Sequence, residues 1–103
     1  MTYRLTAAYA HPADHDAFVT HYRDVHAPLA AKLPDLRSFT WGVCETPDGT
    51  RPAHVLVAVL DWDSREAAQA ALSSAAGEAA VGDLPNFAQA GVDLEFQEVN
   101  TSV

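Results

Sequence analysis

The chain has one cysteine, only six basic residues, and no apolar run longer than Val55 to Leu60. Each shortage excludes something. Cys44 alone cannot close an internal disulfide, so oxidative stapling is ruled out. Six Lys and Arg against fourteen Asp and Glu leave a formal charge of −8. Such a surface repels phosphate backbones and anionic headgroups, so neither nucleic acid nor a membrane is an expected partner. Val55 to Leu60 falls far short of the roughly 20 residues a spanning helix needs. The opening MTYRLTAAYAHP carries Arg4 inside its apolar pattern and lacks a continuous signal core; a cytoplasmic protein is the expectation. There is no P-loop, G-x-G-x-x-G or G-x-S-x-G, so no cofactor is expected and no hydride-transfer motif is present.

What remains is globular. Hydrophobic residues make up 49% of the chain and charged ones 19%, a composition that folds. At 103 residues one domain over residues 1–103 is expected. It would bury only roughly 65% of its unfolded surface, which makes for a thin core.

Two periods alternate along the sequence. Residues 3–10 place Tyr3, Leu5, Ala7 and Tyr9 opposite Arg4, Thr6 and Ala8, a period of two that predicts a strand. His11-Pro12 ends it, and Asp14 is placed to cap a helix. Phe18, Tyr22, Val25, Leu29 and Leu33 then recur at three or four residues, the stripe of a helix that Pro34 stops. Leu36 to Glu45 alternates as a second strand, and Asp48-Gly49 suits a turn. Residues 53–62 form a third strand, apolar on both faces. Asp63 and Glu66 read as a capping box for a second, alanine-rich helix over 64–80, which Gly77 weakens. Residues 82–91 read as a turn-rich connection before a last strand with Val92, Leu94 and Phe96.

The order β-α-β-β-α-β is α+β and ferredoxin-like, a four-stranded antiparallel sheet with two helices on one face. Two helices leave the other face bare, and the third strand is apolar there as well. A second copy, packed sheet against sheet, is the natural cover, so a homodimer is expected.

The stretch HYRDVHAPL concentrates the chemistry. On an ideal wheel His21 and His26 lie on opposite margins of the helix stripe, half in the core and half in water. There they are either tolerated boundary residues or groups for proton transfer near neutral pH. Pro28 cannot donate to the Asp24 carbonyl and crowds it, so a kink or break is expected one turn from His26. A metal site is not expected. The two rings point about 140° apart at a spacing of five, while His11 and His15 straddle the helix start. Cys44 has no basic neighbour to activate it and reads as a small buried hydrophobe. Asp61 and Asp63 read as a solvated strand end and a cap. Phe18, Tyr22, Trp41, Trp62 and Phe87 either fill the core or line a space between helix and sheet.

These residues resemble a known family. Phe18, His21-Tyr22, His26 and Pro28-Leu29 spell F-x-x-HY-x-x-x-H-x-PL, similar to the signature of the EthD family, named for an ether-degradation gene cluster. KLP-x-LR from Lys32 to Arg37 and DLPNFA from Asp83 to Ala88 continue the resemblance, which runs from Tyr9-x-x-Pro12 to Glu98-Val99. It implies a dimeric α+β barrel with a ligand cleft between sheet and helices, in a superfamily whose members include isomerases and monooxygenases without metal or flavin. By resemblance His26 is the acid/base group, with His21 and Tyr22 beside it, and Asn86 and Phe87 close the cleft. Asp35 stands where the pattern has glycine, and Ala27 and Ala75-Ala76 are smaller or plainer than usual.

The reading expected is a cofactor-independent acid/base enzyme of isomerase, dehydratase or decarboxylase type, acting on a small hydrophobic, aromatic or polyketide-like molecule. His26 would move the proton, Tyr22 and His21 would hold the substrate oxygen, and Phe18, Trp41, Asn86 and Phe87 would bind the ligand. The rivals are a non-catalytic binding or accessory protein serving a neighbouring oxygenase, and a dimeric structural module without a ligand.

Overall fold

The computed structural model describes residues 1–103. Its elements are β1 (Thr2–Tyr9), α1 (His15–His21), a π-helical turn (Tyr22–His26), α2 (Ala27–Ala30), β2 (Ser38–Val43), β3 (Leu56–Trp62), α3 (Arg65–Ser73), α4 (Ala75–Phe87) and β4 (Val92–Val99). The strands form one antiparallel sheet ordered β2-β3-β1-β4, the ferredoxin-like arrangement that the alternating periods predict. No helix is long and apolar enough to cross a membrane.

The two central strands divide the molecule into faces. Tyr3, Leu5, Ala7 and Tyr9 of β1, with Leu56, Ala58, Leu60 and Trp62 of β3, are buried on one side. Phe18, Tyr22, Leu33, Ala68, Ala71 and Phe87 close over them. Full burial of a large apolar side chain contributes roughly 1.5–3 kcal/mol, so this layer supplies most of the driving force. Thr6, Ala8, Val57 and Val59 point the other way, where none belongs to the core cluster. On that face Arg4 donates twice to Asp61 across the β1–β3 pair, at 2.8 and 3.0 Å. Asp61 is thus an ion-pair partner rather than a solvated strand end.

The helices depart from expectation in three places. Asp14 caps α1 as predicted, accepting from the Ala17 amide at 3.0 Å. Pro28, however, does not break the first helix, which runs on to Ala30 through the π turn. The helix expected over 64–80 is two helices. Ser64, not Asp63, caps α3, accepting from Ala67 at 3.1 Å, while Asp63 accepts from Arg37 at 2.6 and 2.9 Å. The chain then turns extended at Ser74, whose hydroxyl accepts from the Gly77 amide at 3.2 Å and so starts α4. The stretch read as a turn-rich connection is the second half of α4, with Pro85 in its last turn.

The backbone is unusual at two corners. Asp35 has φ of +60°, the left-handed conformation that its place in a glycine position suggested, and that aspartate tolerates better than most residues. Trp62 is fully buried and donates to the Pro34 carbonyl at 3.0 Å, pinning this turn. Gly77 is not a weak point of a long helix but a requirement of the α3–α4 corner. A Cβ there would overlap the Leu72 carbonyl group. Gly77→Ala should therefore destabilise the protein by about 1–3 kcal/mol, visible in urea unfolding, although alanine is the better helix former.

Candidate active site

The π turn brings His26 inside. The Ala27 amide donates to the Tyr22 carbonyl five residues back, so this turn holds more residues than an α-turn. Pro28 supplies the reason. A helix that must already forgo the bond to Asp24 has less to lose by widening. The inward residues become Phe18, Tyr22, His26, Ala30 and Leu33, where α-helical spacing predicted 18, 22, 25, 29 and 33. Val25, expected at the centre of the stripe, is 41% exposed, and His26, expected on its margin, is only 6% exposed.

The two histidines do not diverge as an ideal wheel predicts. Both meet one carboxylate, that of Asp83 on α4. His21 Nε2 lies 3.0 Å from both Asp83 oxygens, and His26 Nδ1 lies 3.0 Å from Oδ2. Asn86 Nδ2 donates to Oδ1 at 3.0 Å. Burial pushes Asp83 up, but the hydrogen bonds from Asn86, His21 and His26 outweigh it and hold the group below its ordinary value. An ionised carboxylate only accepts, so each nitrogen facing it carries a proton. This assigns His26 the Nδ1–H tautomer and leaves Nε2 with its lone pair.

That Nε2 stands 3.4 Å from the Tyr9 hydroxyl. Burial lowers the pKa of His26 despite Asp83, which works to raise it, so the ring is a neutral base. Tyr9 is pushed up to about 12, chiefly by burial. Tyr22 moves further the same way, also chiefly by burial. Both phenols are therefore neutral donors.

His26, Tyr9 and Tyr22 border a cavity of about 150 Å³ between the sheet and the helices. Sixteen residues line it, fifteen of them hydrophobic, the exception being His26. His21 does not line this cavity. It borders a second, more polar depression, together with Phe18, Asn86 and Phe87. Phe87 lies against both histidines, 4.7 Å from His26 and 4.9 Å from His21 between ring centres, and Phe18 packs on it at 5.3 Å. Trp41 touches the group only through Tyr22, at 5.1 Å, and does not border the cavity. No group of three or more His, Cys, Asp or Glu side chains is arranged to hold a metal ion.

Tyr9 and Asp83 are the residues of the candidate site that sequence reasoning missed. Both were within its reach. Asp83 opens DLPNFA and Tyr9 opens the first block of the family resemblance, but neither is near HYRDVHAPL in sequence. The cluster also predicts a pH dependence of stability. His26 binds a proton less readily folded than unfolded, where its value is about 6.5. The unfolded chain therefore holds more protons as pH falls through that value, and stability present above it is lost. Urea unfolding should show the free energy falling between about pH 7.5 and pH 5.5, and His26→Gln should flatten that slope.

Comparison with known proteins bears on the family and the fold. The EthD domain model matches residues 10–91. An uncharacterized 11.0 kDa protein from the thcB–thcC intergenic region of Rhodococcus erythropolis is 38% identical over 99 residues, covering 96% of each chain. The crystal structure of an EthD family protein from Bacillus halodurans superposes with a TM-score of 0.90 at 32% identity, covering 97% of this chain and all of that one. A dimeric ferredoxin-like protein of Thermobifida fusca shares the fold alone, with a TM-score of 0.74 at 15% identity over 96% of this chain and 92% of its own. With the family model spanning most of its length and the histidine-bearing helix inside the match, the chain belongs to the EthD family.

Proposed function

We propose that the chain is a cofactor-independent acid/base enzyme acting on a small hydrophobic molecule that carries a carbonyl or phenolic oxygen. One observation carries this reading. A neutral imidazole, fixed by a carboxylate at Nδ1, presents its free Nε2 at the polar end of an otherwise apolar cavity. Nε2 takes a proton from the position next to the substrate oxygen. Asp83 compensates the imidazolium that forms, and the Tyr9 and Tyr22 hydroxyls donate to the oxygen as it gains charge. The same group returns the proton elsewhere, which gives an isomerisation, or delivers it to a hydroxyl leaving from the next carbon, which gives a dehydration. A positioned base of this kind contributes typically 10²–10⁴-fold in rate.

The protein works as a homodimer on this reading. The sheet face bearing Val57 and Val59 is uncovered within one chain, and the Thermobifida fusca protein of the same fold is dimeric. Val59→Arg on that face should yield a monomer by light scattering.

The test of catalysis is His26→Gln, assayed on a ligand identified by native mass spectrometry of the purified protein. Turnover should fall 10²–10⁴-fold while the Kd changes little. A wild-type protein that binds this ligand and never converts it would instead make the cavity a carrier's, the alternative that the almost wholly apolar lining favours.

A further inference from the structure

We infer that the cavity takes an uncharged amphiphile with a single oxygen at its head, lying between Tyr9 and His26, and an aliphatic tail that leaves between β4 and α4. This rests on the reading of the cavity as a ligand site, and not on catalysis.

Charge is decided by what the lining lacks. No Lys, Arg, Asp or Glu is among the sixteen residues, so a carboxylate, phosphate or ammonium group would be desolvated with no partner. Asp83 is already taken by three donors and does not border the space. The hydrogen-bonding side chains that border it, Tyr9, Tyr22 and His26, cluster at one end. Tyr9 and His26 hold their polar atoms 3.4 Å apart, and Tyr22 packs against both rings. That provides for one oxygen, able to accept from a phenol and donate to Nε2.

Size and direction decide the tail. A cavity of about 150 Å³ in another hydrophobic core takes benzene and little more. A longer molecule must therefore emerge, and the register of the sheet shows where. Ala7 pairs with Leu94 and Leu5 with Phe96 on β4, so Phe96 lies four residues along β1 from the level of Tyr9, or about 14 Å. Leu94 and Phe96, with Val81 of α4, line the cavity yet are 52%, 45% and 52% exposed. Single exposed apolar residues are ordinary. Three that form the rim of one cavity, with Phe96 farthest along from its polar end, make an exit for an alkyl chain.

Calorimetric titration with 4-alkylphenols from ethyl to heptyl, and with 4-alkylbenzoates of the same lengths, tests this. The phenols should tighten by roughly fourfold for each added methylene that reaches the rim, and the benzoates should bind at least about 100-fold more weakly. Leu94→Ser, at an exposed site that does not threaten folding, should remove the gain of the longer chains and leave ethylphenol unchanged. Tyr9→Phe should weaken every length by the same factor. Equal binding of benzoates, a flat dependence on chain length, or a Leu94→Ser variant weakened equally at all lengths would overturn the proposal. So would a Leu94→Ser variant that changes its oligomeric state with the chain-length gradient intact, since a second copy would then occupy the rim. Loss of turnover in His26→Gln with the gradient preserved bears on catalysis alone, and a flat gradient bears on the ligand alone.

Discussion

A carboxylate buried in a small core ties the structure together. Asp83 is 6% exposed, and an ion so placed is tolerated only where donors surround it. Its three donors come from α1, the π turn and α4 itself. The bond network therefore fixes how the two ends of the helical layer meet, as well as the chemistry of one ring. Breaking such a buried arrangement by removing one partner typically costs about 3–5 kcal/mol, a large share of the stability of a chain this short. The same contacts that hold α4 against α1 thus set the tautomer of His26, so fold and site cannot be altered separately here.

The π turn shows how a local defect becomes useful. Proline inside a helix removes one hydrogen bond wherever it sits. Here the loss falls where an extra residue in the turn rotates His26 inward and Val25 outward. Without the insertion an apolar valine would face the sheet, as ideal spacing predicts, and the imidazole would stand at the surface. The exchange replaces apolar burial worth about 1.5 kcal/mol or more with a polar ring that requires partners, and Asp83 and Tyr9 are those partners.

The strands were legible because a half-buried sheet imposes a strict period of two. Tyr3 to Tyr9 shows it in the sequence, whereas Leu56 to Trp62, apolar on both faces, shows it only in its burial. The left-handed backbone at Asp35 was suggested by the glycine of the family pattern, whereas the ferredoxin-like order and the Asp14 cap could be read for the same reason as the strands: each is a local rule met by local residues. Three features could not. The π insertion leaves Phe18 and Tyr22 in phase and shifts only the residues beyond them, so the sequence pattern looks intact until Val25. The α3–α4 break turns on Ser74 capping a helix whose alanines would equally continue the first. Pro85 lies inside α4, yet it gives DLPN the look of a turn. That last misreading hid Asp83, and with it the reason for two histidines. The helix alone singled out His26 and His21, and the family resemblance set Tyr22 beside them, whereas Tyr9 and Asp83 reach the site only through tertiary packing.

The electrostatics of the cluster also restrict what chemistry the proposed site could perform. With the His26 ring neutral, it and Asp83 together carry one negative charge. Proton uptake at Nε2 brings the pair of His26 and Asp83 to neutrality, so the base is improved by the act of accepting. The negative charge then lies on the ligand, inside an apolar cavity whose donors, the Tyr9 and Tyr22 hydroxyls and the newly protonated His26 Nε2, stand together at one end. An anion spread along the ligand would find nothing to stabilise it. One gathered on an oxygen at the head, as in an enolate or phenolate, would lie beside both phenols. Phenols held neutral by burial are suited to this, because they donate without ever competing for the charge. On the proposed reading, carbanion chemistry is confined to positions within reach of that oxygen, and the rest of the ligand is held by shape and apolar contact.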